Sequence, residues 1–142
     1  MNRLLVVGIT GVLAGGLAFA ASAQTHSAKD EISTAHAHAV MAQSATSIAM
    51  AHTHLQHVIN CLVGPNGAGF DAKAENPCKG QGNGAIPDAA GDHAPHAKLQ
   101  SALADAQAGL KSQSLAAVHQ DAGKAAAGLQ EGSAPKASSS AW

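Results

Sequence analysis

Aromatic residues are scarce in this chain of 142 residues. Phe, Trp and Tyr together make up 2% of it, and Tyr is absent. Because β-branched and aromatic side chains build most sheets, their scarcity argues against a β fold. A thin core suits Ala-rich helices whose axes approach closely. The lack of a bulky apolar lining also argues against non-covalent haem.

Charge and catalytic motifs are sparse as well. Beyond residue 23, seven Lys against nine Asp plus Glu leave a net charge of −2. This balance is too near neutral for a nucleic-acid binder or an anionic-membrane binder. The sequence contains neither H-E-x-x-H nor G-x-S-x-G, so we predict no enzymatic activity. C-x-x-C-H is absent too, which excludes haem c attached through that motif.

The first 23 residues have the pattern of a secretory signal peptide. Arg3 supplies a positive charge, residues 4–20 are almost wholly apolar, and residues 21–23 read Ala-Ser-Ala. The apolar run is short for a membrane span and is interrupted by glycines, so a cleaved signal is favoured over an anchor. We therefore expect a periplasmic or secreted protein, not attached to a membrane after cleavage, with one domain over residues 24–130.

The spacing of apolar residues predicts an all-α fold. Residues 28–63 contain no Gly or Pro, and one continuous helix of that length would be unusually long. A polar run near residue 45 favours two helices, 28–43 and 46–63, with Ser44 or Thr46 capping the second. A single long helix is the alternative.

Helical spacing returns in the second half of the chain, where its phase slips at residues 111–114. We predict helices at 95–110 and 114–130, and a disordered tail over residues 131–142. The four helices would form a small bundle of two helical hairpins.

A long Gly- and Pro-rich segment separates the two halves. We predict a loop over residues 64–94, with Phe70 and Ile86 packing back on the helices. Cys61 and Cys78 are the two cysteines of the chain. An exported compartment permits a disulfide between them, and closing this loop would stabilise the fold by about 3 kcal/mol.

Histidine is the one residue type in excess, and six of the nine lie between residues 26 and 57. Neutral imidazole is the commonest transition-metal ligand, and residues three or four apart share a helix face. His54 and His57 share such a face. If the chain turns about Ala45, His36 lies opposite His54, so His36, His54 and His57 are the predicted primary ligands.

Further candidate ligands flank these three. The same turn brings His38 opposite His52, as a second, more exposed pair of auxiliary ligands. Met50 lies one turn before His54 and is either core filling or a soft ligand for copper. We expect Cu²⁺ or Zn²⁺, with Ni²⁺ possible, and an affinity that falls as the pH drops through about 6.5.

The stretch "AHAHAVMAQSATSIAMAHTHLQHV" resembles small His-rich metal-binding proteins of the bacterial periplasm. The resemblance covers about residues 28–62. It implies a helical hairpin or bundle that takes up copper or other divalent cations, and it carries a ligand role to these residues: His36, His38, His52, His54 and His57.

These observations leave two principal hypotheses of function. The first is a helical protein that buffers or transfers a transition metal in the cell envelope. The second is a non-enzymatic structural or protein-interaction module in which loop 64–94 contacts an unknown envelope protein and the His are surface residues. Sensing of envelope pH by the clustered His is a third possibility.

Overall fold

A computed structural model describes residues 28–133, and in this part of the chain the regular secondary structure is helical, without a strand. The all-α prediction is confirmed. The predicted signal peptide lies outside the described residues, as do residues 134–142 of the predicted tail. No helix among the described residues is both long enough and apolar enough to cross a membrane.

Two separate helices occupy the first half of the described chain, α1 (Ala28–Gln43) and α2 (Ile48–Val63). The break at residues 44–47 excludes the single long helix. The cap of α2 is Ser47 and not Ser44 or Thr46, because the helix begins at Ile48. The Ser47 Oγ accepts a hydrogen bond from the Met50 backbone N–H at 3.2 Å, which satisfies one of the free donors of the first turn.

Three helices follow in the second half. A short helix, α3 (Ala85–Asp88), lies inside the segment predicted as loop. The two longer ones are α4 (His93–Lys111) and α5 (Leu115–Gly132). Both ends of each helix lie within two residues of the predicted bounds. α5 extends past the predicted end at residue 130 and into the predicted tail.

Alanine forms much of the core. α1 packs against α2 and α5, while α4 packs against α5 and α2. On α1, the buried apolar residues are Ile32, Ala35, Ala39 and Ala42. Such small side chains let helix axes approach closely, so few bulky residues are needed to fill the interior.

The segment between α2 and α3 returns to the helices at several points. Gly64 ends α2 with φ +67°, and a Cβ there would lie 1.7 Å from the backbone O of Asn83, so only Gly fits. Cys61 and Cys78 form the predicted disulfide, with their Cα atoms 5.2 Å apart. Phe70 and Ile86 pack against the core, as predicted.

Candidate metal centre

Three imidazoles converge between α1 and α2. The Nδ1 atom of His38 lies 3.2 Å from Nδ1 of His54 and 3.4 Å from Nδ1 of His57. One ligand atom from each ring lies within 4.8 Å of the other two. The three residues, which we call the His38 cluster, are therefore positioned to bind a metal ion.

The helices account for this arrangement. His54 and His57 are three residues apart on α2 and so share one face of it. His38 lies on α1, three residues after the buried Ala35 and one before the buried Ala39. The alanines allow α1 to approach α2 closely enough for the rings to meet at centroid separations of 4.8 and 5.4 Å from His38.

The two nitrogen separations from His38 suit a transition metal. Two ligands of a tetrahedral Zn²⁺ ion, each bonded at about 2.0–2.1 Å, are about 3.3–3.4 Å apart. Two Nδ1 atoms at this distance repel each other unless one of them carries a hydrogen and donates it to the lone pair of the other. If each ring carries its hydrogen on Nε2 instead, both Nδ1 lone pairs are free. A cation bound to both of them then takes the place of the shared hydrogen.

Burial favours the neutral form of two of the three rings, those of His38 and His57. His57 is 6% exposed, and His38 is partly buried. Burial lowers the pKa of both below the usual 6.5 because the charged ring loses hydration, and neighbouring imidazoles lower it further. The negative charge of Glu75 opposes this shift in both pKa values. The neutral imidazole is the form that can ligate a metal, so the lowered pKa keeps these two rings able to do so at more acidic pH.

The structure brings together a different set of histidines from the predicted primary ligands. His38, and not His36, meets His54 and His57. His36 instead lines a different cleft, which it shares with Lys29 and Ser33 of α1 and with Gln130 and Ser133 at the end of α5. The reason is that α1 packs against two helices, so that residues two apart on it face different neighbours.

The predicted pair of His38 and His52 is also not formed. His52 Nε2–H donates to the backbone O of Ser112 at 3.0 Å, joining α2 to the end of α4. Met50 is 48% exposed in the first turn of α2, so it does not fill the core, and its role as a soft ligand stays a prediction. Cys61 is held in the disulfide, as predicted.

A cleft gives access to one side of the cluster. It has a volume of about 520 Å³, and its lining residues are His57, Asp71, Lys73 and Glu75 together with Thr53, Gln56, Ala74 and Leu110. The two carboxylates belong to the disulfide-closed segment. The contact between this segment and the histidines was not predicted, since no local pattern in the sequence shows where the segment returns to α2.

One buried amide fixes that return. Asn60 is fully buried, and its Nδ2 donates to the backbone O atoms of Asp71 and Glu75 at 3.1 and 3.3 Å. Its Oδ1 accepts from the Asp71 backbone N–H at 2.9 Å and from Gln56 Nε2 at 3.0 Å. The sequence held one signal of this contact. Asn60 and Cys61 lie three and four residues after His57, so all three share a face of α2.

Comparison with known proteins gives no family. A scan against protein-family models found no match, and searches of curated proteins and of solved structures found none either. A function for this chain therefore has to be inferred from its own residues.

Proposed function

We propose that this protein binds one divalent transition-metal ion, Zn²⁺ or Cu²⁺, through the Nδ1 atoms of His38, His54 and His57. The observation that carries the proposal is the convergence of three imidazole nitrogens from two helices, with two separations of 3.2 and 3.4 Å. Three rings held by packed helices lose little freedom on binding, which favours affinity.

The surrounding fold is part of this proposal. We infer a four-helix bundle of two hairpins, α1 with α2 and α4 with α5, in which the first hairpin carries the metal. Connections of four and three residues and the packing of α1 on α5 and α2 on α4 support it. Such a frame would hold the rings in place before an ion arrives.

The proposed biological role is buffering or transfer of the ion in the cell envelope. It depends on export, for which the apolar N-terminal sequence is the support. The cleft beside His57 supports transfer, since it offers a route to the cluster from outside. The compositional resemblance to His-rich periplasmic metal-binding proteins points in the same direction.

Calorimetric titration with Zn²⁺ and with Cu²⁺ tests the proposal, using protein without an affinity tag. We expect one ion per chain for the wild type. The His38→Ala/His54→Ala/His57→Ala variant should bind at least about tenfold more weakly, the lower range for loss of a group that supports a metal. The matched control is His36→Ala/His93→Ala, which removes two histidines outside the cluster. Equal weakening in both variants would contradict the proposal.

A second candidate is the interaction module built on the segment after α2. It is favoured by a cleft of about 650 Å³ between that segment and α4, which no charged side chain lines. Val63, Ile86 and Leu103 supply its apolar lining. Under this alternative, metal leaves the melting temperature unchanged. Under the metal proposal, an ion at a hundred times its Kd stabilises the fold by about 2.7 kcal/mol.

A further inference from the structure

The His38 cluster supplies three of the four ligands that a tetrahedral metal ion needs. Structural Zn²⁺ sites have four protein ligands, and sites with three complete the tetrahedron with water or a substrate. His38, His54 and His57 supply three nitrogens. The fourth position is therefore either open to solvent or filled by another side chain close to the rings.

The backbone that carries Glu75 is held against α2 by the fold. Asn60 lies one turn after His57 on α2, and its side chain binds the backbone at Glu75 and at Asp71. Three residues beyond Glu75, Cys78 is bonded to Cys61. The backbone around Glu75 is thus attached to α2 on both sides, next to the turn that carries His57.

Asp71 and Glu75, the two carboxylates that line the cleft, differ in their hydrogen bonding. Asp71 Oδ1 accepts a hydrogen bond from the Lys73 backbone N–H at 2.8 Å, within its own turn. Glu75 is exposed and shares the cleft with His57. Of these two carboxylates, Glu75 is the one that is not used in a hydrogen bond within its own turn, so it is the one that can turn across the cleft towards His57.

We propose that Glu75 is the fourth ligand of this site, so that a divalent ion is held by three imidazoles from the helices and one carboxylate from the disulfide-closed segment. This inference rests on the proposed metal-binding function. A carboxylate also offsets part of the charge that a divalent ion brings between the helices.

The ligand set selects a class of ion. Imidazole suits Zn²⁺ and Cu²⁺, whereas soft sulfur ligands select Cu⁺. Three nitrogens with one carboxylate oxygen therefore favour a divalent ion over Cu⁺. Because Glu75 stands on the cleft side, it also controls the position through which a ligand or acceptor would reach the metal.

The test compares Glu75→Gln with Asp71→Asn. Both changes remove one negative charge from the same cleft and keep the side-chain shape. Zn²⁺ affinity is measured by competition with a chromophoric chelator, and the visible spectrum of Co²⁺-loaded protein reports the ligand set. We expect Glu75→Gln to weaken Zn²⁺ binding at least about tenfold and to change the Co²⁺ spectrum, while Asp71→Asn stays at the wild-type affinity and spectrum. Cu⁺ affinity should be equal in all three proteins.

The outcomes separate this inference from the proposed function. If His54→Ala weakens Zn²⁺ binding but Glu75→Gln has the wild-type affinity and spectrum, Glu75 is not a ligand and the three-histidine site stands. If Glu75→Gln and Asp71→Asn weaken binding equally, the effect is general charge and the inference is overturned. If His54→Ala also has no effect, the proposed function itself fails.

Discussion

The Nδ1 atoms of His38 and His54, 16 residues apart in sequence, lie 3.2 Å apart across the contact between α1 and α2. This separation depends on the packing of Ala-rich helix faces, because bulkier residues would hold the helices further apart. The same contact brings Nδ1 of His57 to 3.4 Å from His38. The core and the proposed metal site therefore depend on the same residues.

The first prediction concerns the pH dependence of the metal-free protein. Because burial lowers the pKa of His38 and His57 in the folded state, the unfolded chain takes up protons first as the pH falls through 6.5. The free energy of unfolding should thus be highest above pH 6.5 and decrease between there and the lowered pKa values. Urea unfolding with chelator present, from pH 7.5 to 5.5, measures this.

A His38→Gln variant should show a smaller decrease over the same range. The variant lacks one of the two histidines whose pKa is lowered, so fewer protons are taken up on unfolding. A wild-type stability that is constant from pH 7.5 to 5.5 would contradict the burial of these rings.

The second prediction concerns Asn60. Replacing it by Ala leaves the Asp71 backbone N–H and two carbonyl groups without their partner, at a cost of about 1–3 kcal/mol. Hydrogen exchange at the Asp71 amide should become faster, because that amide is held by Asn60 Oδ1. Asn66→Ala is the control, since Asn66 is an exposed residue of the same segment. Equal exchange rates in the wild type and Asn60→Ala would show that Asn60 does not anchor the segment.

The third prediction concerns the disulfide. The double variant Cys61→Ala/Cys78→Ala should lose about 3 kcal/mol of unfolding free energy, because the bond closes a loop of 17 residues in the unfolded chain. The three histidines are held by α1 and α2, so Zn²⁺ should still bind, with an affinity close to that of Glu75→Gln. Complete loss of Zn²⁺ binding in a folded double variant would mean that the disulfide positions the histidines themselves.

Helix spacing was enough to predict the class of the fold and its long helices. Gly- and Pro-free runs, a phase slip at residues 111–114 and Gly64 after α2 are local signals, and local signals set helix bounds. The short helix α3 was missed because Gly84 precedes it and Pro87 lies within it. Its four residues carry no periodic pattern.

The site was predicted less completely, for a physical reason. His36 was chosen because a turn about Ala45 would place it opposite His54, yet the packing brings His38 to His54 and His57. The buried face of α1 consists mainly of alanines, which are too small to identify a face by hydrophobicity. His38 and His36 are both close to that face, and only the packing decides which of them meets α2.

The central claim is tested most directly by long-range ¹H–¹⁵N NMR of the histidine rings during titration with Zn²⁺. We predict that His38, His54 and His57 become fixed with a hydrogen on Nε2. Their Nδ1 signals should shift together and reach an end point at one ion per chain, while His36 is unchanged. A titration in which these three Nδ1 signals do not move, or in which His36 and His52 move in their place, would contradict the account.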